Sequence, residues 1–378
     1  MQDYLKKYEV TITTKGPVYI GSGNTINKKE YYIDTDEERV YLFNPIKIFK
    51  EILKRGLEEK YIKYMHSPGI PMNLGEFLNK NGIGIMKVKQ MAEYSISAAN
   101  LEESIHDFKK KSRNINTFIS EAGNNKYIPG SSLKGALRTA LIVDEIYRNK
   151  FEYNKFSEIS MDIEKDAYSK RIKNIGNYAG KIENKALRTL NRKDTKKEDP
   201  VNDIMSCIRV GDSEVIPNEN MTLCQRIDKF QSKLNDDNFI NILPIYYECI
   251  KPNVSIKTNI TIDTSLSNDI SIDRIKRAIA TYSKVLDDEF NSKFDSEYCC
   301  ENVMFIGGYT GYPSKTLLYS LLDDNKLDII RRVINSNSKH DHLKDEISPR
   351  TMKFSKYLGK EESGDYEIGR IEIEFKEI

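Results

Sequence analysis

Apolar residues that alternate with polar ones predict β-strands near both ends of the chain. In YEVTITT, Val10 and Ile12 alternate with polar residues, and in GRIEIEF the alternating positions are Ile371, Ile373 and Phe375. This two-residue period places the apolar side chains on one face of a half-buried strand. Further strands are predicted in KEYYIDTDEERVYLFN, a hairpin around Asp36–Glu37, in IRV before Gly211–Asp212, and in LPIYYECIKPNVSIKTNITID, two strands around Lys251–Pro252–Asn253.

Two other segments follow helical spacing. Residues 273–292 carry apolar residues three or four positions apart, which is typical of an amphipathic helix. These residues are Ile275, Ile279, Tyr282, Leu286 and Phe290. In the second segment, Asn44–Pro45 has the pattern of an N-cap and first helical residue. The helical stripe that follows it consists of Ile46, Phe49, Leu53 and Leu57.

Strands and helices mix along the chain without a regular alternation. This order predicts an α+β fold with mainly antiparallel sheet. Residues 60–120 form short mixed segments with Gly-rich turns, and we find no internal repeat. Residues 149–203 are polar, highly charged and end in NRKDTKKEDP, which is typical of an exposed insertion or a mobile arm.

The composition narrows the classes of function. The 378 residues are 39% hydrophobic and 31% charged, so the chain can bury a core beneath a charged surface. Lysine and arginine total 59 against 57 acidic residues, a net charge of +2. This overall balance does not indicate nucleic-acid binding, so any anion site has to come from local clustering.

The N-terminus and the cysteines indicate the compartment. MQDYLKKYEV has no apolar signal-peptide core, and no run approaches membrane-spanning length. The scattered cysteines include no CxxC pair, which favours buried or free thiols over disulfides or zinc. Adjacent cysteines in a strand would point to opposite faces. We expect a soluble cytoplasmic protein with no membrane partner; its cysteines are Cys207, Cys224, Cys249, Cys299 and Cys300.

The segment YIPGSSLKGALRT predicts a helix N-terminus with affinity for anions. Ser131 or Ser132 can cap this helix, which leaves first-turn N–H groups facing a ligand. Lys134 and Arg138 lie one turn apart and repel each other unless an anion neutralises them. A capped helix whose basic face is simply solvated is an equally open interpretation.

GGYTGYPSKT, at 307–316, is a Gly-rich turn between a strand and a helix. Its register does not match a Walker A loop, which would need glycine at Tyr309 and Ser314. Backbone N–H groups and one lysine can still hold a nucleic-acid backbone. A tight turn that packs a helix onto a sheet is the alternative. The candidate residues are Gly307, Gly308, Gly311, Ser314 and Lys315.

A third segment, GPVYIGSGNTINKKEY, contains a predicted bare loop followed by two lysines. One such loop carries little weight, but three Gly/Ser loops with lysine or arginine strengthen the anion hypothesis. The 23 tyrosines add rings that can stack on bases. The candidate residues in this segment are Gly21, Ser22, Gly23, Lys28 and Lys29.

Catalytic signals are sparse. His340 and His342 bracket Asp341, but two histidines without a third ligand make a weak metal site. His66, before Ser67–Pro68–Gly69, could act as the general base of a metal-independent ribonuclease, although a surface-turn histidine is the simpler interpretation. Neither GxSxG, HExxH nor the signature of an RNA-recognition motif occurs. We therefore predict no catalytic residues, no metal and no cofactor.

These strings occur together, in order, in a known family. GPVYIGSG, YIPGSSLKGALRT, IRVGDSEVI, LPIYYECI and FIGGYTGYPSKT resemble the fifth subunits of Csm complexes, the type III-A CRISPR interference effectors. Those subunits belong to the RAMP superfamily. The likeness runs from about residue 8 to about residue 320 and is weaker through 60–120 and 149–203. IPGSSLKGALRT alone would indicate only a RAMP, and a small residue is usual near Tyr309, where this chain differs.

The resemblance implies a fold and a domain organisation. It implies a ferredoxin-like core at 1–215, with helical insertions at about 45–120 and a charged insertion at about 149–203. A second α+β portion, at 216–378, contains the Gly-rich loop 307–315.

The resemblance also implies a non-catalytic RNA-binding role. Such a subunit holds the 3′ part of the CRISPR RNA (crRNA), caps the filament of backbone subunits and is needed for crRNA maturation in antiviral defence. Its implied partners are crRNA and the adjacent RAMP backbone subunit, with target RNA and host nucleases as further candidates. Two alternatives are an endoribonuclease that trims crRNA itself and an assembly protein that contacts only protein.

Overall fold

Two large β-sheets form the framework of the protein. The computed structural model describes residues 4–67, 72–111, 113–153, 158–231, 240–294, 302–359 and 363–378. The strands are β1 (Leu5–Thr14), β2 (Gly21–Ile26), β3 (Tyr31–Asp34), β4 (Arg39–Phe43), β5 (Ala92–Ser97), β6 (Ile115–Phe118), β7 (Ser120–Glu121), β8 (Asn125–Lys126), β9 (Ile208–Val210), β10 (Met221–Phe230), β11 (Ile240–Ile250), β12 (Ser255–Asp263), β13 (Val303–Phe305), β14 (Thr351–Leu358), β15 (Ser363–Glu367) and β16 (Arg370–Glu377).

Helices lie between the strands and pack on the sheets. They are α1 (Pro45–Lys54), α2 (Glu58–His66), α3 (Leu74–Lys80), α4 (Ile85–Gln90), α5 (Ile105–Lys111), α6 (Gly130–Arg148), α7 (Lys150–Tyr153), α8 (Glu158–Tyr168), α9 (Ile175–Leu187), α10 (Ile272–Glu289), α11 (Leu318–Leu321) and α12 (Lys326–Ser336).

The first sheet has the topology of a ferredoxin-like unit. Its order is β13-β16-β1-β12-β9, and all neighbours are antiparallel. Along the chain, β1, α6, β9, β12, α10 and β16 follow the βαββαβ pattern. The fourth, first, third and second strands of that pattern therefore lie side by side, with β13 added at the edge. The predicted α+β fold with mainly antiparallel sheet is confirmed.

The alternating strands bury the face that the sequence predicts. Ile12 of β1 lies between Ile256 of β12 and Ile373 of β16, and each side chain is at most 2% exposed. Helices α6 and α10 pack against each other, α6 contacts β9, and α10 contacts β13. The five apolar residues predicted for α10 are all buried. The two-residue and helical periods thus meet in one core.

The second sheet combines strands from both halves of the chain. Its order is β2-β6-β11-β10-β5-β4-β3, with β14 on β10 and β15 on β14. The pairs β6–β11 and β5–β10 are parallel and the others antiparallel. Strands from both sides of residue 215 share each sheet. The predicted division of the chain near residue 215 stays a prediction.

Strand β11 contains the LPIYYECI motif and a fully buried ion pair. Glu248 and Lys126 are both 0% exposed, with 3.8 Å between Oε1 and Nζ. Glu248 also accepts hydrogen bonds from the Tyr94 hydroxyl at 2.6 Å and the Phe118 N–H at 2.8 Å. The Lys126 ammonium lies 3.7 Å from the centroid of the Tyr94 ring, and burial lowers the pKa of this lysine. The motif therefore builds the core.

Helix α1 turns most of its predicted stripe outward. Asn44 caps it as predicted, accepting from Ile46 N and Lys47 N. Ile48 and Ile52, however, are the side chains that face the small core beneath α1–α4. The stripe is exposed at three positions and buried only at Leu57; the exposed residues are Ile46 (65%), Phe49 (52%) and Leu53 (48%).

The described part of the charged segment, residues 149–153 and 158–203, is largely helical and joins the main core. Ile163 of α8 and Ile182 and Leu187 of α9 are at most 2% exposed and belong to the same apolar cluster as the sheets. For α8 and α9 the interpretation as an exposed insertion or mobile arm is therefore wrong, whereas residues 191–198 are exposed. The charged insertion at about 149–203 stays a prediction. Among the cysteines, Cys207, Cys224 and Cys249 are buried free thiols, and Cys299 and Cys300 lie outside the described residues.

Candidate nucleic-acid interface

A carboxylate from another loop occupies the N-terminus of α6. The Gly130 N–H donates to Asp212 Oδ1 at 2.7 Å, and the N–H groups of Ser132 and Leu133 donate to Pro129 O. Pro129 is the N-cap, and neither serine caps the helix with its side chain. The predicted serine cap is therefore wrong. A Cβ on Gly130 would lie 2.3 Å from the backbone oxygen of Val210, so glycine permits the close approach that lets Asp212 cap.

The two cations of α6 have partners within the protein. Lys134 Nζ donates to Ile208 O at 2.7 Å, and burial lowers the pKa of this lysine. Arg138 contacts Asp203 Oδ2 at 2.6 Å and Glu183 Oε2 at 3.1 Å. Burial opposes the charge of Arg138, but the hydrogen bond to Asp203 keeps its pKa raised. A phosphate would have to compete with these two carboxylates for Arg138.

The Gly-rich turn is fitted tightly to the second sheet. The Gly308 N–H donates to Tyr19 O at 2.7 Å, and a Cβ on Gly307 would lie 2.1 Å from that same oxygen. Gly307 also has φ of +83°, so a side chain here would be both strained and blocked. Ser314 is 6% exposed and its hydroxyl contacts Thr310 Oγ1 at 2.8 Å. The predicted RNA contact at Ser314 would thus require displacing an internal bond.

Lys315 is the exposed cation of this turn. Its Nζ donates to Gly307 O at 3.0 Å, a neutral acceptor, and burial lowers its pKa. No carboxylate pairs with Lys315 among the residues that the structure describes. Tyr309 adopts φ of +59° and stacks on Tyr19 and Tyr247, with centroids 5.3 and 5.0 Å away. Tyr309 is therefore held in place by aromatic stacking on both rings.

The predicted bare loop at Gly21–Gly23 is instead part of β2, at the edge of the second sheet. Ser22 Oγ lies 2.5 Å from Thr117 Oγ1 on β6, and the register shifts between Gly21 and Thr25. Gly23 has φ of +84° and open space around its Cα. The backbone here is therefore accessible, although it belongs to a strand.

The predicted sites come together only in part. Tyr19 packs against both the edge strand and the Gly-rich turn. A Cβ on Gly21 would collide with the Tyr19 side chain, and a Cβ on Gly307 would collide with the Tyr19 backbone oxygen. Arg138 and Lys315 line a shared cavity. Lys29 lies elsewhere, donating to Met65 O and Ser67 O at the end of α2, and neighbouring Lys28 is half-buried.

A basic segment that the sequence interpretation missed lies beside this cavity. Residues 170–197 contain ten lysines and arginines against two acidic residues, a net charge of +8 in a chain whose total is +2. Helix α9 forms its centre, and a loop continues it. Most of these cations are exposed: Lys170, Arg171, Lys181, Lys185, Arg192, Lys193, Lys196 and Lys197. Counting charge in a sliding window would have revealed this basic segment.

The three neighbouring strands β16, β1 and β12 present polar side chains on the open face of the first sheet. Thr11 of β1 lies between Lys257 of β12 and Glu374 of β16, and the neighbouring positions along these strands are also polar or charged. Proteins with an RNA-recognition motif stack bases on aromatic residues of such a face.

A hydrogen-bonded Ser–His–Asp set that resembles a catalytic arrangement lies in the loop after α12. His342 Nδ1 lies 2.7 Å from Asp345 Oδ2, and its Nε2 lies 2.9 Å from Ser338 Oγ. Ser338 Oγ also accepts the N–H of His340 at 3.1 Å, and Asp345 faces Arg350 at 3.8 Å. All these contacts join near neighbours in sequence, so we interpret the cluster as structural.

The described residues contain neither a cluster of metal ligands nor a membrane-spanning helix. No group of three or more His, Cys, Asp and Glu side chains in the described ranges is placed to hold a metal ion. No helix in this part of the chain is long and apolar enough to cross a bilayer. His66 and His106 are both exposed, and no described hydrogen bond orients either ring.

The topology and the segments above define a RAMP protein. The RAMP superfamily model matches residues 11–336, so the chain belongs to this superfamily. The chain is similar to the CRISPR system Cms protein Csm5 of Mycobacterium tuberculosis, with 24% identity over the whole chain and 99% of that protein. It is 27% identical to the Csm5 protein of Streptococcus thermophilus, covering 84% of this chain and 82% of that one.

Solved structures agree with this assignment of fold. A chain of the cryo-EM structure of a type III-A Csm–crRNA–target RNA ternary complex aligns over 97% of this chain and all of its own, at 18% identity and a TM-score of 0.64. The crystal structure of T. onnurineus Csm5 covers 96% and 99%, at 15% identity and a TM-score of 0.58. The resemblance to the fifth Csm subunit, first indicated by the motifs, is confirmed.

Proposed function

We propose that the chain is a non-catalytic RNA-binding subunit of a type III-A CRISPR Csm complex. It caps the backbone filament at the crRNA 3′ end and is required for crRNA maturation. The likeness to Csm5 proteins supports the assembly, and the charge of the basic segment carries the RNA-binding part. Phosphate contacts are indifferent to sequence, which suits a protein that holds guides of any spacer.

The predicted residues take different parts in this proposal. Exposed Lys315, the open backbone at Gly23 and exposed Ser131 extend the contact surface beyond the basic segment. Lys134 and Arg138 instead stabilise the elements beneath that surface. Lys134 bonds α6 to Ile208, and Arg138 pairs with Asp203 and Glu183. The Gly-rich turn positions Lys315 through its contacts with Tyr19.

Reconstituting the complex with and without the chain tests the capping and maturation roles. We expect crRNAs with trimmed 3′ ends only when the chain is present and the complex is exposed to cell extract. Pure chain incubated with labelled precursor RNA is expected to leave the RNA intact. Cleavage that survives EDTA and disappears in His66→Ala would instead establish the endoribonuclease alternative.

The exposed face of α1 fits the contact with a neighbouring protein subunit. Ile46, Phe49 and Leu53 fall within an arc of about 60° on a helix that advances about 100° per residue. Burying each of them would contribute about 2 kcal/mol. A contiguous apolar stripe of this kind is typical of a docking surface.

Charge around this stripe defines the chemistry of its partner. Lys47, Lys50 and Lys54 are exposed along one side of α1, whereas Glu51 is buried and paired with Arg55 at 2.8 Å. The complementary partner is an apolar protein surface with carboxylates on its rim. We assign this partner to the adjacent backbone subunit.

Introducing charge into the stripe is expected to disrupt assembly. Phe49→Asp with Leu53→Asp should lower recovery of the adjacent backbone subunit in co-purification at least about tenfold, because two buried carboxylates would lack partners. Matched controls are Val215→Asp with Leu266→Asp, also exposed at 53% and 40%. Normal recovery with the α1 variant, or equal loss with the controls, would contradict this assignment. Circular dichroism of each variant verifies folding.

A further inference from the structure

A cavity of about 540 Å³ opens between α9 and the Gly-rich turn. Its apolar walls come from α6, α8, α9, α11 and α12 and include Ile142, Ile163, Ile182, Leu318 and Val333. Protein interiors are normally close-packed, and cavities of this size lined by apolar groups are typical of ligand sites. The space is larger than a nucleobase requires.

Two tyrosine rings line the cavity from opposite elements. Tyr178 belongs to α9, and Tyr312 belongs to the Gly-rich turn. The Tyr178 hydroxyl donates to Asp166 at 2.9 Å, and Lys181 lies 4.9 Å from its ring centroid. Tyr312 packs against the main core. Rings held in this way can stack on a base at little entropic cost.

The charged groups of the cavity differ in whether they are neutralised. Arg138 and Glu183 both line it and pair with each other, so together they add no net charge. Lys315 lines it as well, and its described partner is the neutral oxygen of Gly307. The cavity thus combines aromatic and apolar walls with one cation that an anion can approach.

We propose that this cavity, the Tyr178–Tyr312 pocket, binds a single nucleotide of an RNA strand. The base occupies the apolar interior against the tyrosines, and its phosphate contacts Lys315. This inference rests on the proposed RNA-binding function. It adds a site at which one base of the bound strand unstacks from its neighbours and enters the protein.

The basic segment favours a nucleotide over an apolar side chain of another protein. Helix α9 forms both a wall of the pocket and the centre of the basic segment, so a strand held along the segment passes the pocket mouth. Polyanion binding and base insertion therefore use the same helix. An apolar side chain of another protein would make no use of Lys315.

Two glycines of α9 provide a test variant and its control. Gly176 lines the pocket, and Gly180, one turn further along α9, does not. A Cβ at either position would meet nothing within 4 Å, and both residues are exposed. Gly176→Leu therefore adds an apolar side chain at the pocket wall, and Gly180→Leu makes the same chemical change outside the pocket. Neither alters the charge.

The probe is a single-stranded RNA with 2-aminopurine placed at each position in turn. With wild-type protein we expect quenched fluorescence at one position. In Gly176→Leu this quenching should disappear and affinity should fall about tenfold. The slope of log affinity against log salt should fall by at most about 0.7, because only the phosphate contact at Lys315 is lost and the cations of the basic segment remain. Gly180→Leu should match the wild type.

Each other outcome overturns a stated part of the proposal. RNA binding by Gly176→Leu with wild-type affinity and quenching refutes the pocket but leaves the proposed function standing. Absence of RNA binding by the wild type refutes the proposed function itself. If AMP binds but RNA shows no quenched position, the ligand is a free mononucleotide. If Gly176→Leu binds RNA normally but loses the adjacent subunit, the pocket holds a protein side chain.

Discussion

Replacing Arg192, Lys193, Lys196 and Lys197 with alanine is expected to lower RNA affinity about a hundredfold at about 0.1 M salt. These exposed cations follow α9 in the basic segment. Each phosphate neutralised by a cation releases counterions, which adds about 0.7 to the slope of log affinity against log salt for a single strand. Losing four contacts should therefore reduce this slope by about 3. Titrations of one RNA at several salt concentrations measure both quantities.

The control for this experiment removes equal charge from other surfaces. Lys6, Lys7, Lys60 and Lys376 are exposed and lie outside the basic segment. Their replacement with alanine gives the same net charge, so a general electrostatic effect would lower affinity equally in both variants. Equal losses, or a slope that does not change in the first variant, would refute a local RNA contact at the basic segment.

Glu248→Ala is expected to destabilise the protein by about 3–5 kcal/mol. This carboxylate is fully buried beside the Lys126 ammonium and accepts from Tyr94 and the Phe118 N–H. Its removal leaves a buried cation and a buried N–H without their acceptor. Such groups cost more when a partner is lost than when both partners are absent. Urea unfolding monitored by circular dichroism measures the loss in the free energy of unfolding.

The double variant isolates the buried charge as the cause. Lys126→Met with Glu248→Leu replaces the pair with apolar side chains of similar size, so it should recover at least half of the stability lost in Glu248→Ala. If the double variant is as unstable as Glu248→Ala, the loss comes from packing or from the Phe118 N–H and Tyr94 hydroxyl left without their acceptor, and not from the unpaired ammonium.

Patterns of period two and of helical spacing predicted the framework well. The alternating residues of β1 and β16 and the stripe of α10 are buried where expected, because these elements each have one apolar face. In α1 the same reasoning fixed the helix and its cap but not the face that is buried. Ile48 and Ile52 provide a second apolar face, and the choice between two faces depends on the helices that surround α1.

The candidate site was less accessible to sequence reasoning. Asp212 is 82 positions from the glycine whose N–H it accepts, and Asp203 is 65 positions from Arg138. A local motif cannot show that one distant acid will cap its helix and another will neutralise its arginine. The basic segment, in contrast, is visible in the sequence alone, as a local excess of ten cations over two acidic residues that the overall net charge of +2 conceals.

The position of β16 affects how this protein can fold during its synthesis on the ribosome. This strand fills a slot beside β1, although the register joins Ile12 to Ile373, more than 300 residues later. Strand β1 is therefore synthesised long before β16. Until then, the edge of β1 that pairs with β16 has unpaired backbone N–H and C=O groups. Such a delay exposes a nascent chain to mispairing. Chaperones that shield strand edges during translation would be most useful to this polypeptide until residue 377 has emerged.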